Sequence, residues 1–335
     1  MTIPASIGRA VVLAAPDRAA WLALRGIGGS DVAAIRGHSP FASPWDVWVR
    51  RQPGVAQDRD DADPILAEGL RFEPMIAAEY ALATGRTVTR HVNVVVQHPE
   101  FPWATGSPDG TVVDPEAGLG GADWKTYRMR DAAWGPSGSV VEAFGPEAVA
   151  VSPLYYLDQA YWYLEITGLP WWDLVVWLPR SFGFPELRWI RVMADRPHQR
   201  RMLLEVARWR QRHLVEGVQP DVDGSDACKR WQAPAKATKK TTRPATDAEV
   251  DLVARLQWAR RVRDEHDRIA RQTENELGAL FGPDTYGVRM AGLKCLRVRA
   301  KGRASVDLDA VRKHLPSAVT DGAEFVRFNL YPVKE

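Results

Sequence analysis

The chain has 335 residues, 45% of them hydrophobic and 26% charged, with a formal charge of +2. That composition supports a packed core and excludes wholesale disorder, and no apolar run approaches the roughly 20 residues of a membrane span. Two cysteines, Cys228 and Cys295, and seven scattered histidines exclude a disulfide framework, a cysteine-rich zinc site and an iron–sulfur cluster, which points to a reducing, cytoplasmic setting. The short apolar stretch at 10–15 is cut off by Pro16 before a signal-peptide core could form. Apolar spacing then predicts helices over 15–24, 31–36, 44–51 and 64–84, and strands over 87–97, 103–113 and 121–127. A helix over 153–167, strands over 172–178 and 187–192, and a helix over 196–216 follow. This order implies a mixed α/β (α+β) fold, a central mixed sheet flanked by helices, filling a domain over 1–224.

Composition shifts after this domain. A basic linker is expected over 225–246, because 233–246 (APAKATKKTTRPAT) lacks any apolar period. Beyond it, a C-terminal part over 247–335 should hold a long helix over 247–281, one or two strands within 286–300 and a short helix over 308–314. From Ser225 onward the chain carries 22 basic and 15 acidic residues, a balance of +7, which leaves 22 basic and 27 acidic, or −5, for the rest. A near-neutral body with a basic C-terminal part fits a protein that holds a polyanion while keeping acids for a cation; a solvated basic tail would give the same count. The 14 tryptophans serve core and sheet-face packing, with base stacking as the functional alternative for one or two.

The chemistry concentrates in Thr105-Gly-Ser-Pro-Asp-Gly110 and Ala122-Asp-Trp-Lys125. Asp109 and Asp123 fall on consecutive strands joined by the turn at 114–121, and period-two alternation puts Asp123 and Lys125 on one face with Trp124 on the other. Two carboxylates, the Trp124 backbone carbonyl and water make the all-oxygen shell that Mg2+ prefers, with Mn2+ as a substitute. An ammonium beside such an ion can orient or deprotonate a water, or neutralise charge developing at phosphorus. This is a PD-(D/E)xK pattern; by itself, Pro-Asp-Gly is also an ordinary turn. Glu73 shares a helical stripe with Ile76, Ala77 and Tyr80, where an acid should be paired or bound to a cation, although Pro74 must open or kink that helix and Glu73 then reads as a helix-start acid. Gln159, among Tyr155, Tyr156, Trp162 and Tyr163, needs a partner that either a metal-bound water, a phosphate or the backbone could supply. In Arg25-Gly-Ile-Gly-Gly-Ser-Asp31, Ser30 is the expected N-cap, and helix-start amides beside Arg25 either serve capping alone or form a phosphate site.

Taken in order, GIGGSDVAAI (26–35), Gly69-x-x-x-Glu73-Pro74, HPEFPWATGSPDG (98–110), the D-x-K segment and YYLDQAYWYLEITG (155–168) resemble the YqaJ-type viral recombinase family, which includes the phage lambda exonuclease. The resemblance runs from about residue 24 to 168 and implies a restriction-endonuclease-like core that cleaves DNA with Mg2+. It implies that Asp109 and Asp123 are metal ligands assisted by the Trp124 carbonyl, that Lys125 is the catalytic lysine, and that Glu73 and Gln159 support them. Arg25 and Ser30 match the region that engages a terminal 5′-phosphate. The implied activity is an exonuclease on double-stranded DNA ends, 5′-to-3′, leaving 3′ single strands for a single-strand annealing protein in phage-type recombination. A trimeric homo-oligomer and a cytoplasmic location, in the host cell for a phage protein, belong to the same expectation. Asp123 departs from the family's usual glutamate and would displace the ion by about one methylene. The stretch over 133–152 reads as an extended loop. An endonuclease or nickase on the same core, and a DNA-binding module with a decayed site, are the competing readings.

Overall fold

A computed structural model describes residues 5–53, 55, 64–126, 134–178, 186–232, 243–280, 287–290 and 293–296 of the chain. The described residues fall into two units, one running up to Gln232 and the other from Arg243 onward. In the first, β1 (Ser6–Ile7), β2 (Ala10–Ala14), α1 (Arg18–Leu24), α2 (Gly29–Ile35), α3 (Pro44–Arg50) and α4 (Pro64–Thr84) come before the main strands. These are β3 (Thr87–Arg90), β4 (Val94–Gln97), β5 (Thr105–Gly106), β6 (Gly110–Asp114) and β7 (Gly118–Thr126). Then come β8 (Ser139–Val141), α5 (Pro146–Val151), α6 (Leu154–Thr167), β9 (Trp171–Leu178), β10 (Glu186–Met193), α7 (Arg196–Arg210) and α8 (Asp226–Trp231). Six strands form a mixed sheet in the order β3-β6-β7-β9-β10-β8, and four form a smaller sheet, β1-β2-β4-β5. The mixed α/β architecture expected from the strand and helix order is therefore present.

The two sheets exist because the strands expected over 87–97 and 103–113 each break in the middle. Asn93, at φ +54°, interrupts the first, and Pro108, which has no amide hydrogen to donate, interrupts the second. The breaks face one another: the His91 amide donates to the Asp109 carbonyl at 2.9 Å. Beyond this point β4 and β5 pair in the small sheet, while β3 and β6 pair in the large one. Asp109 thus sits where the chain changes sheets, immediately ahead of β6.

The large sheet is covered on both faces. On one, Ile76, Ala77 and Tyr80 of α4 pack against Val112, Ala122, Trp124, Trp171 and Val175. On the other, α6 and α7 pack against Trp172, Leu174, Val176, Ile190 and Val192 in the main core. β7 and β9 pair in parallel with Gly121 opposite Trp172. A Cβ at Gly121 would lie 2.1 Å from the Trp172 ring, and one at Gly120 would lie 2.3 Å from the Trp171 ring, so the glycine pair makes room for an indole on each face. Buried Asp173 fixes the outer end of the sheet, accepting from Arg191 at 2.9 and 3.0 Å, from Arg86 at 3.2 Å and from the Tyr80 hydroxyl.

Several expectations need correction. Helix α4 runs through Pro74 without ending; the ring is exposed, where the unbonded carbonyl one turn earlier can meet water. The helix expected over 196–216 stops at Arg210 and continues as a π-helical turn, Gln211–Val215, before Gly217 at φ +72°. Within 133–152, β8 and α5 replace the expected loop, and β1 and β2 add an edge to the small sheet. The linker expected from Ser225 begins instead with α8, whose Ala227 and Cys228 are buried with Trp45 and Trp48 of α3. In the second unit, α9 (Asp247–Leu280) matches the long helix and has no buried residue, and β11 (Gly287–Met290) and β12 (Leu293–Leu296) form an antiparallel hairpin. Residues 233–242 and the helix expected over 308–314 lie outside the described residues.

Candidate active site

β7 ends its pairing with β6 at Ala122, so Asp123, Trp124 and Lys125 extend past the last rung. Asp109 occupies the place beside them. Its Oδ2 accepts from the Trp124 amide at 2.9 Å and lies 3.4 Å from Lys125 Nζ, while its own amide lies 3.5 Å from Asp123 Oδ1. Lys125 Nζ is 3.5 Å from Asp123 Oδ2, so the ammonium stands between the two carboxylates. Because the amide and carbonyl of one strand residue point to the same side, the Trp124 carbonyl also faces the open edge beside Asp109. The Trp124 ring, as period-two alternation requires, packs on the opposite face against Tyr80, with centroids 5.7 Å apart.

Charge is short of balance here. Asp123 is fully buried, and burial followed by the nearby Asp109 pushes its carboxyl up to about 7 even against Lys125. Glu73 is also pushed up to about 7, first by burial and then by Asp109, with Lys125 and Arg90 opposing. Burial favours the neutral form of Lys125, but Asp109 and Asp123 outweigh it and hold the amine well above its ordinary value. Asp123 Oδ2 has no hydrogen-bond partner although it is buried. Three acids sharing one close lysine, with a buried carboxylate oxygen that accepts no hydrogen bond, fit a hard divalent cation in chemistry. Among the described residues, no three His, Cys, Asp or Glu side chains form a group that could hold a metal. An ion here would therefore rest on Asp109, Asp123 and the Trp124 carbonyl.

Helix α6 supplies the opposite wall. Gln159 Nε2 donates to the Tyr163 hydroxyl at 3.0 Å, and that hydroxyl lies 3.4 Å from the Ser107 carbonyl. Tyr163 feels Asp123, Lys125 and Asp109; burial, then Asp123, raises its hydroxyl above the ordinary value. Tyr156 places its ring centroid 5.8 Å from Lys125 Nζ. Gly106 must be glycine, since a Cβ would lie 2.6 Å from the Tyr163 ring. Glu73, Asp109, Asp123, Lys125 and Gln159, singled out from four separate segments, therefore lie around one place. Tyr156, Tyr163, Arg90 and His91 join them; the two tyrosines were visible only as Gln159's aromatic neighbours.

Helix α2 reaches this wall through Gly29, where a Cβ would lie 2.7 Å from Gln159 Cγ. Its N-cap is Gly28, not Ser30: the Gly28 amide donates to Asp31 Oδ2 at 3.1 Å, and the Ser30 side chain is left exposed in the first turn. Asp31 is buried, and Arg51 and then Arg50, at 2.8 and 3.1 Å, overcome that burial and hold its carboxyl below the ordinary range. Arg25 lies over Trp21, 4.4 Å from the ring centroid, with its Nη2 3.9 Å from where a Gly28 Cβ would stand. Arg25 and Ser30 thus flank the same helix start, beside Gln159.

Residues 20–170 match the model of the YqaJ-like viral recombinase domain. This part of the chain is similar to that domain. The match contains every candidate residue above. The uncharacterized protein YqaJ of Bacillus subtilis (strain 168) is 22% identical over 337 aligned positions, covering 95% of each chain. Among solved structures, the alkaline exonuclease LHK-Exo of Laribacter hongkongensis aligns at 20% identity with a TM-score of 0.44, covering 59% of this chain and 94% of that one. LHK-Exo in complex with dAMP gives the same values. No helix among the described residues is long and apolar enough to cross a membrane.

Proposed function

We propose that this protein is a Mg2+-dependent exonuclease that acts on double-stranded DNA ends. It hydrolyses the 5′-ended strand in the 5′-to-3′ direction and leaves a 3′ single strand for an annealing protein. The observation that carries the reading is the convergence of Asp109, Asp123 and Lys125 within 3.5 Å of one another, in a place short of positive charge. Similarity of residues 20–170 to a viral recombinase domain supports the recombination context. Asp109, Asp123 and the Trp124 carbonyl would hold Mg2+, with Mn2+ able to substitute; when bound, the ion supplies Lewis-acid stabilisation of charge at phosphorus and lowers the pKa of water.

The protein's own groups do the rest. Lys125, kept protonated by its two acids, presents a fixed ammonium to the oxygens that gain charge as water attacks phosphorus and the 3′ oxygen leaves in line. Glu73, poised near neutrality, can hold or release a proton beside the same carboxylates. Gln159 orients the Tyr163 hydroxyl over the Ser107 carbonyl, which fixes the turn that carries Asp109. The Arg25 guanidinium and Ser30 hydroxyl would receive a terminal 5′-phosphate, giving the preference for ends. Assembly as a homo-trimer around DNA belongs to the same proposal.

End-labelled linear duplexes, with and without a 5′-phosphate, test it against closed circular DNA. Linear 5′-phosphorylated DNA should be consumed only with Mg2+ or Mn2+ and circles spared, and Lys125→Ala or Asp109→Asn should slow release by about 10²-fold or more. Comparable cutting of circles would replace the exonuclease by an endonuclease. Equal, metal-independent release from wild type and Lys125→Ala would leave a DNA-binding module.

A further inference from the structure

Helix α7 and the π-helical turn after it carry a positive surface that the candidate active site does not use. From 196 to 212 the sequence places six arginines against one acid, Glu205, and Glu205 is taken by Arg36 at 3.1 Å. Elsewhere in this unit Arg36, Arg86, Arg188 and Arg191 are all ion-paired. None of the six arginines from 196 to 212 forms an ion pair among the described residues. Arg201, Arg208 and Arg212 follow one another at seven- and four-residue intervals, which places them along one exposed stripe with Leu204, itself 43% exposed. The side of α7 opposite this stripe buries Met202, Leu203 and Val206. Like charges four residues apart repel, and unpaired cations left on one face weaken the isolated helix while attracting a polyanion.

Other arginines of α7 reach toward the start of α2. Away from the stripe, on the flanking sides of α7, Arg200 lies over Phe101 and Arg210 over Trp103, at 5.7 and 5.6 Å from the ring centroids. The Trp103 carbonyl accepts from the Ile27 amide at 2.8 Å, so this flank abuts the loop between Arg25 and Gly28. From Arg201 to Arg212 the stripe extends about 17 Å at 1.5 Å per residue, roughly the axial rise of five base pairs.

We infer that the Arg201–Arg208–Arg212 stripe binds the phosphate backbone of the duplex whose end enters the candidate active site. The inference rests on the nuclease reading above and names the track that delivers its substrate. Arginine side chains there neutralise phosphates without reading sequence, so the track adds affinity and salt dependence and leaves the chemical step unchanged.

The full chain is titrated with a 5′-phosphorylated duplex in EDTA over a salt series, as wild type, as Arg208→Gln and as the triple variant Arg201→Gln/Arg208→Gln/Arg212→Gln. The slope of log affinity against log salt should shrink by about 0.9 per arginine, close to three in the triple variant and one in the single variant. With Mg2+ present, KM should rise and kcat should hold. All three side chains are exposed, so thermal melting should match wild type. An unchanged slope in a triple variant that melts like wild type overturns the inference and leaves the face to an acidic protein partner. If the slope shrinks as expected while Asp109→Asn releases nucleotides as fast as wild type, the track stands and the nuclease assignment falls.

Discussion

Histidine 198 shows how burial decides the behaviour of a single group in this fold. Its ring stacks on Phe144 at 4.0 Å between centroids and 16° between planes, with Tyr161 at 4.9 Å, and its Nε2 has no hydrogen-bond partner. Burial, then Arg36, pushes its pKa down to about 4, with Arg201 and His38 acting the same way and Asp195 opposing. An unfolded histidine titrates near 6.5, so between about pH 4 and 6.5 the unfolded chain binds more protons than the folded one. The contribution is complete above about 6.5 and is lost as pH falls toward 4. His198→Phe keeps a ring and removes the titration, so its melting temperature should fall less than that of wild type from pH 6.5 to 4.5; parallel curves would show that His198 does not govern acid stability. At this scale the sequence was informative where a residue type is rare in its setting. An acid on an apolar stripe (Glu73) and an amide among tyrosines (Gln159) both lie beside the Asp109–Lys125 pair. Ser30 misled, because an N-cap is chosen by backbone conformation, and the extended Gly28 with Asp31 three residues later satisfies the helix start without the hydroxyl.

At the scale of elements, helix positions followed apolar periodicity closely, since the covered faces of α4 and α6 are written in the spacing of their large side chains. Strand continuity did not. A residue such as His91 or Pro108 reads the same in one long strand or two short ones, and only the partner across the ladder decides which sheet each half joins. The approach of α2 to α6 was hidden for a related reason: a glycine declares that space is needed but not by what. Gly29→Ala should push α2 off α6 or turn Gln159 away from Tyr163, because the added Cβ meets Gln159 Cγ at 2.7 Å and its Cα at 3.2 Å. Overpacking of this kind costs about 1–3 kcal/mol, and the proposed preference for DNA ends should weaken with it. Gly69→Ala in α4 is the control: its Cβ would meet only Thr126 Oγ1, at 3.6 Å, and relief of helix-interior glycine should stabilise by about 0.5–1 kcal/mol. Equal melting temperatures for the two variants would mean that α2 does not press on Gln159.

For the whole molecule, the composition shift near Ser225 marks a change in charge before the fold of the first unit is complete. Six residues beyond that shift form α8, which Ser225 caps through its hydroxyl at 3.1 Å from the Cys228 amide. Ala227 and Cys228 are buried there, and Trp231 meets Trp48 edge-on at 4.9 Å. Trp45 and Trp48 belong to α3, whose Arg50 and neighbouring Arg51 hold Asp31 at the start of α2, so the loss of α8 is transmitted toward the candidate active site through α3. All residues proposed for catalysis and end binding lie between Arg25 and Tyr163, well inside this unit. A chain ending at Ala233 should therefore fold and keep the proposed Mg2+-dependent release of nucleotides. A chain ending at Ser225 should expose two indoles and melt at lower temperature, by several degrees for a loss of about 2 kcal/mol in a domain of this size. Paired melting curves and end-digestion rates for the two truncations check this. Identical melting would show that α8 adds nothing to the core, and loss of activity in the longer truncation with its fold intact would place an essential part of the nuclease beyond Pro234.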